Sequence, residues 1–187
     1  LYILRPHSGL PPMKAILLRQ LGGPEQLTIE DVAMPEPGPG QVRVRLHASA
    51  LNRRDVWITL GQYPGIRLPC IMGSDGAGVV DQIGSDAPAD LLGQEVMIYP
   101  AYDWGHDPRF PSSTFRVLGM PDPGTFAEYL CMPASHAFAK PAHLSWQQAA
   151  AIPLAIGLLV LGLKPAPVIA LASAKVAELA AIFAKLP

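Results

Sequence analysis

The sequence is poor in cysteine and in charge. Its 187 residues contain two cysteines, Cys70 and Cys131, with no CxxC pair and no histidine at metal-ligand spacing, which argues against a disulfide framework or a zinc knuckle. We therefore expect a reducing, cytoplasmic setting. Charged residues make up 16% of the chain and the net charge is -1, so a nucleic-acid partner is not expected.

Long apolar runs are also missing. The longest uncharged one, from Ala149 to Leu163, is interrupted by Pro153 and two glycines and is shorter than the roughly 20 residues that cross a bilayer. It predicts a buried segment, and no membrane partner is expected.

No GxGxxG turn occurs in the chain. The stretch "GSDGAGVV" at 73–80 has the glycines in the reverse order, and "VVDQIG" follows it, which is typical of a strand rather than of a helix N-terminus. Glycines that let a strand bend or approach another backbone are the favoured interpretation, and a phosphate loop is the alternative. A second candidate, "GLLVLGLK", has Leu163 where a Walker lysine belongs, which excludes a phosphate site there.

Proline and glycine are abundant, with 21 and 17 residues, and they punctuate segments with strand character. Val42, Val44 and Leu46 alternate with polar residues, which predicts a half-buried strand. The other predicted strands begin at Met13 and within "EQLTIEDVAM", and then cover 77–83, 95–99 and 125–132. The pattern predicts a mainly β fold, a small barrel or sandwich, with short helices.

A short helix is predicted over 53–60. Asn52 suits its N-cap, the Asp55 side chain is placed to accept from the N-cap backbone N–H, and Gly61 suits the left-handed position after the helix. The expected apolar side consists of Val56, Trp57 and Leu60. Capping is a sufficient reason for Asn52 and Asp55, and a role in a site stays open beside it.

The two ends of the chain differ from this body. Residues 1–12 lack signal-peptide features and are interpreted as an N-terminal extension, with an edge strand at 2–4 as the alternative. Ser145 caps a further short helix that stops near Pro153. Apolar residues from Val176 to Leu186 recur at helical spacing, which predicts a C-terminal helical tail packed on the body or on a partner chain and leaves a homo-oligomer open.

Four blocks in order, "ALNRRDVWITLGQYPG", "PCIMGSDGAGVVDQIG", "GQEVMIYP" and "GTFAEYLCMPASHAFAKPAHLSWQQAAAIPLA", resemble the N-terminal catalytic domain of the medium-chain dehydrogenase/reductase superfamily. The similarity is to its quinone-oxidoreductase-like and alcohol-dehydrogenase-like members. It implies a GroES-like, partly open β-barrel over 13–155, followed by a divergent tail at 156–187 where relatives continue into a Rossmann domain.

The resemblance also implies that zinc is absent. In zinc-type relatives the glycine block resembles GHEGAG, with the histidine as a ligand, whereas this chain has Ser74 and Asp75. Asn52 stands where a cysteine ligand is expected, and the third ligand and the four-cysteine structural lobe have no counterpart. A catalytic zinc needs three protein ligands, so we expect none here.

The site implied by the resemblance consists of Asn52, Asp55 and Tyr63. Asn52 and Tyr63 would hold cofactor or substrate, and Asp55 would brace the loop; a turn-packing role is the alternative for Tyr63. The implied reaction is hydride transfer from NADH or NADPH to a small carbonyl, quinone or activated alkene.

Because the Rossmann half has no counterpart, we expect this chain to be a truncated catalytic portion that binds no dinucleotide and is inactive alone. The alternative is a stand-alone GroES-like binding or assembly module without catalysis.

Overall fold

The fold is mainly β, as the sequence predicts. The computed structural model describes residues 11–107 and 109–152. The predicted tail at 156–187, and the predicted extension at 1–12 apart from its last two residues, lie outside these ranges. The strands are β1 (Met13–Leu18), β2 (Leu27–Val32), β3 (Gln41–Ala50), β4 (Cys70–Ile71), β5 (Asp75–Ile83), β6 (Glu95–Ile98), β7 (Ala101–Tyr102), β8 (Arg116–Val117), β9 (Tyr129–Pro133) and β10 (Ala137–Ala139), and the helices are α1 (Arg53–Thr59) and α2 (Trp146–Ala151).

The strands form three antiparallel sheets. The largest has the order β10-β6-β5-β3-β9, a second has β2-β1-β4, and β7 pairs with β8. The chain just before β9 joins the first two sheets, because the Ile16 N–H donates to the Phe126 carbonyl at 2.8 Å and the Glu128 N–H donates to the Lys14 carbonyl at 3.0 Å. The sheets do not close on themselves, which confirms a partly open barrel.

Period-two alternation places the core. Val42 and Val44 of β3 are fully buried and pack against Val80 of β5 and Val96 of β6. Burying the apolar surface of one such side chain stabilises the folded state by about 2 kcal/mol. A second cluster, which contains Leu18, Cys70, Met72, Met120 and Phe126, receives Ile58 from α1. That contact seats α1 on the barrel.

The glycine block is a strand, as predicted. Gly78 of β5 lies against the backbone of β3, where an added Cβ would collide with the Arg45 carbonyl oxygen and come within 2.9 Å of the Leu46 Cα. The pairing of β3 with β5 contains two irregularities, at Arg43/Val44 and at Leu46/Ala48. The glycine therefore permits a close approach between two strands.

The prediction of which side of α1 faces the interior is wrong. Val56, Trp57 and Leu60 are 44%, 43% and 46% exposed, whereas Asp55, Ile58 and Thr59 face the interior. The reason is packing: Ile58, which the predicted apolar side omits, inserts into the second cluster, and Asp55, three residues earlier, lies on the same side of the helix.

Both short helices have the predicted ends. Gly61 follows α1 with φ +76°, and Ser145 caps α2 by accepting from the Gln148 N–H at 3.2 Å. Neither helix, in the part of the chain that the structure describes, is long and apolar enough to cross a membrane.

We expect Gly78→Ala to lower the free energy of unfolding by roughly 1–3 kcal/mol, because the methyl group would push apart two paired backbones. Gly38→Ala is the matched control, since its added Cβ would meet only the tip of the flexible Gln41 side chain at 3.4 Å. Urea denaturation of both variants provides the measurement. Equal stability of the two variants would contradict the close approach at Gly78.

Candidate functional site

The candidate site begins where β3 ends and β5 starts. Antiparallel pairing places Ala50 opposite Asp75. The residues that follow Ala50 therefore meet those that precede and open β5, although more than 20 residues separate them in the chain. Asn52 comes to lie beside Ser74 and Asp75 in this way.

The Asn52 side chain is oriented by two hydrogen bonds. Its Nδ2 donates to the Ser74 Oγ at 3.0 Å and to the Asp75 Oδ2 at 2.7 Å. An amide nitrogen carries two hydrogens, so both are used within the protein. The side-chain oxygen lies at the start of α1, towards the Asp55 N–H, and retains a second lone pair. Asn52 is therefore suited to accept a hydrogen bond from a ligand.

Asp55 completes the helix start, as the sequence predicts. Its Oδ2 accepts from the Asn52 N–H at 2.8 Å. The side chain is buried, and burial raises its pKa, while the Asn52 N–H and the nearby Arg54 charge oppose that shift. Asp55 thus holds the Asn52 backbone in place and does not face solvent.

Asp75 is the most perturbed carboxyl group of the site. It is 1% exposed, and burial raises its pKa to about 6. The Asn52 hydrogen bond and the Arg54 charge lower the pKa, and the Asp55 charge raises it further. One oxygen of each carboxylate, the Oδ1 of Asp55 and of Asp75, has no hydrogen-bond partner among the described residues. Two partly satisfied carboxylates flank Asn52, a costly arrangement that is typical of functional sites.

Arg54 is a site residue that sequence reasoning missed. Its Nη1 donates to the Leu118 carbonyl at 2.7 Å, and its guanidinium lies 4.8 Å from the centre of the Tyr63 ring. Its Nε and Nη2 are buried without a partner in the described ranges. The only available signal was a second arginine in "NRRD", and a sequence does not show which of the two turns inward.

Tyr63 lies at a cavity of about 650 Å³, which we name the Tyr63 cavity. One wall is the loop after α1 and the other is the segment around β8. The lining residues are Tyr63, Pro64, Gly65, Arg67, Ser113, Thr114, Phe115, Arg116, Val117, Met120 and Pro121. Within the described ranges, no hydrogen bond involves the Tyr63 hydroxyl, which is thus available to a ligand. The Tyr63 ring contacts the Arg54 guanidinium, and Arg54 lies in the chain between Asn52 and Asp55 of the polar cluster of Asn52, Asp55 and Asp75.

The donor set at these positions does not fit a catalytic zinc. Asn52 and Ser74 supply an amide and a hydroxyl that bond to each other, and Asp75 is the carboxylate that accepts from the Asn52 side chain. No group of three histidine, cysteine, aspartate or glutamate side chains converges anywhere in 11–107 and 109–152. A structural or catalytic zinc requires such a group.

Comparison with known proteins gives a consistent picture. The family model for the alcohol dehydrogenase GroES-like domain matches residues 38–142. A zinc-type alcohol dehydrogenase-like protein of Leptosphaeria maculans is 35% identical over 139 residues, which cover 70% of this chain and 38% of that protein. The quinone oxidoreductase of Homo sapiens is 34% identical over 148 residues, covering 78% and 39% respectively.

Solved structures agree. An NAD-dependent alcohol dehydrogenase superposes with a TM-score of 0.71 at 42% identity, covering 76% of this chain and 44% of that one. A short chain alcohol dehydrogenase from E. coli CFT073, solved with NADH, gives a TM-score of 0.68 at 29% identity, with 76% and 42% covered. The chain spans about two fifths of the length of these relatives.

Because the Asp75 carboxyl group is buried, we expect it to make the free energy of unfolding depend on pH. The folded pKa of about 6 lies above the unfolded value of about 3.9, so the folded state binds the proton more tightly and stability falls as pH rises between these values. Asp75→Asn keeps an acceptor for the Asn52 amide and removes the charge. We expect the unfolding free energy of the variant minus that of the wild type to rise by roughly 2–3 kcal/mol from about pH 4 to about pH 7.

Urea denaturation of both proteins at the two pH values measures this difference. Titrations of groups that do not interact with Asp75 are common to both proteins and cancel in the subtraction. Asp55, whose charge acts on Asp75, is the group whose titration the substitution also changes. A difference that stays constant with pH would contradict the burial of an ionisable Asp75.

Proposed function

The chain belongs to the alcohol dehydrogenase GroES-like domain family of the medium-chain dehydrogenase/reductase superfamily, and we propose that it forms the catalytic portion of a zinc-free NAD(P)H-dependent oxidoreductase. The acceptor would be a small carbonyl, quinone or activated alkene. The observation that carries the proposal is the hydrogen-bonded set Asn52, Ser74 and Asp75. By the resemblance, Asn52 and Ser74 occupy two positions that are metal ligands in zinc enzymes of this family.

The proposed roles follow from the hydrogen-bonding capacity of each side chain. Tyr63 donates its hydroxyl to the acceptor oxygen that gains charge, as an oxyanion-stabilising donor. Asn52 accepts from an N–H or O–H of the ligand through its side-chain oxygen, because both amide hydrogens are engaged. Asp55 positions the backbone of Asn52, and Asp75 positions its side chain. The bound nicotinamide would supply the hydride.

The cofactor would be held mainly outside residues 11–152. Dinucleotide affinity in such enzymes comes largely from a pyrophosphate on a helix N-terminus, and no GxGxxG occurs in the chain. Two neutral hydrogen bonds from Asn52 and Tyr63 net roughly 1 kcal/mol each, against an association cost of at least about 4 kcal/mol. We therefore propose that the 187-residue chain alone neither binds a dinucleotide nor turns over.

We expect purified protein, after mild chelation, to contain far less than one zinc per chain, because an amide and a hydroxyl fill two of the ligand positions. Elemental analysis measures it. Zinc close to one equivalent would overturn the zinc-free proposal and require ligands other than Asn52 and Ser74.

A chimera tests the reaction. Residues 13–152 replace the matching part of the E. coli CFT073 alcohol dehydrogenase, a protein solved in complex with NADH. We expect NADH-dependent reduction of a quinone, an aldehyde or an enone by the chimera and none by the chain alone. Tyr63→Phe in the chimera should lower kcat by about 100-fold or more, the scale of one lost oxyanion donor. Tyr129→Phe, on β9 and outside the Tyr63 cavity, is the matched control.

The rival function is a GroES-like binding or assembly module. It is favoured by the exposed apolar side chains of Val56 and Trp57 on α1 and of Leu60 just after it. A chimera that binds NADH but transfers hydride to none of the three acceptors would support this rival and count against the enzymatic proposal.

A further inference from the structure

The Tyr63 cavity has an uneven charge distribution. Its lining contains two guanidinium groups, those of Arg67 and Arg116, and no carboxylate. The hydroxyls of Ser113 and Thr114 lie on the same lining. A cavity of this size accommodates a small organic ligand. A guanidinium on that lining without a protein partner would pair with a negatively charged group of the ligand.

Arg116 is already committed to protein carboxylates. Its Nε donates to the Asp122 Oδ2 at 2.5 Å, its Nη1 pairs with the Asp103 carboxylate, and its guanidinium lies 5.2 Å from the centre of the Tyr102 ring. The two carboxylates more than neutralise its charge, so Arg116 offers no free positive charge to a ligand. Arg116 is thus a structural cation of this wall.

Arg67 is the uncommitted cation. In residues 11–107 and 109–152, no carboxylate lies within ion-pair distance of its guanidinium, and the side chain is exposed at the cavity. Its backbone is held, because the Arg67 N–H donates to the Met120 Sδ on the opposite wall at 3.3 Å. The planar fork of a free guanidinium matches a planar anion such as a carboxylate.

The remainder of the lining suits an apolar ligand body. Tyr63, Phe115, Val117 and Met120 supply aromatic and aliphatic surface. Arg54 stacks on the Tyr63 ring and fixes it. A flat unsaturated molecule could therefore lie between Tyr63 and Phe115 with its polar end at Arg67.

We propose that the Tyr63 cavity binds a carboxylate-bearing, unsaturated acceptor, with the carboxylate on the Arg67 guanidinium and the apolar body against Tyr63 and Phe115. This inference extends the proposed function and rests on it, because the ligand is an acceptor only if the proposed hydride transfer takes place. It makes Arg67 a specificity-determining residue, since a neutral ligand of the same shape would leave the guanidinium without its partner.

The test is a pair of ligands of the same shape, one with a carboxylate and one with a neutral amide in its place. The 187-residue protein is titrated with trans-cinnamate and with trans-cinnamamide, and amide shifts are followed by ¹H–¹⁵N NMR. We expect cinnamate to bind at least about 10-fold more tightly, equivalent to about 1.4 kcal/mol. The largest shifts should fall on Tyr63, Arg67 and the segment 113–117.

Two variants make the test specific. Arg67→Gln should abolish the preference for cinnamate, and Arg67→Lys should retain part of it, because an ammonium keeps the charge but loses the fork geometry. Arg45→Gln, an exposed arginine of β3 outside the cavity, is the matched control and should behave as the wild type. The NMR spectrum of each variant verifies its fold, and the lysine variant carries the test if the glutamine variant does not fold.

Three results would overturn the proposal. They are equal affinity for both ligands, an equal loss of preference in Arg45→Gln and Arg67→Gln, and shifts confined to the separate apolar groove lined by Ile16, Ile29 and Leu51. The assay contains no nicotinamide and measures no hydride transfer. An inactive chimera together with a charge-selective cavity would therefore count against the proposed function alone, and an active chimera without selectivity would count against this inference alone.

Discussion

The antiparallel pairing of β3 with β5 is the constraint on which the site depends. Gly78 allows β5 to pass against the Arg45 carbonyl, and the register that results places Ala50 opposite Asp75. The same two strands carry the buried valines of the core on one face. Because a register shift of a single residue would exchange the faces of a strand, the hydrophobic core and the position of Asn52 are set by one and the same pairing.

The polar cluster at the end of that pairing works against stability. Asp55, Asp75 and parts of Arg54 are withdrawn from water with some of their polar atoms unpaired, and burying such groups costs free energy. Burial also raises the pKa of Asp75 towards the physiological range. What the cluster provides is orientation: Asn52 is bonded through its backbone N–H and through both amide hydrogens. That preorganisation suits the role proposed for Asn52, which would have to meet a ligand in one geometry.

The sequence predicted much of the fold because the relevant signals are local. Alternation in "QVRVRL" predicted β3. The ends of α1 were predicted from Asn52, Asp55 and Gly61, and the start of α2 from Ser145. The inward face of α1 could not be predicted in this way. Apolar content pointed to Val56, Trp57 and Leu60, but Ile58 packs into the second cluster, and Asp55 lies on the same side with its carboxylate bonded to the Asn52 N–H. Hydrophobic patterning does not account for a carboxylate that a polar partner draws into the protein.

Residue types and their order, by themselves, determined the β-rich architecture, the helix caps and the absence of zinc ligands at positions 52 and 74, because each follows from side-chain chemistry or from neighbours within a few residues. The tertiary structure alone decided that Arg54 turns inward to Tyr63, that Asn52 spends both amide hydrogens on Ser74 and Asp75, and that Arg67 remains without a carboxylate partner among the described residues. These are contacts between segments far apart in the chain. Their existence depends on sheet register and loop packing, which no local pattern encodes.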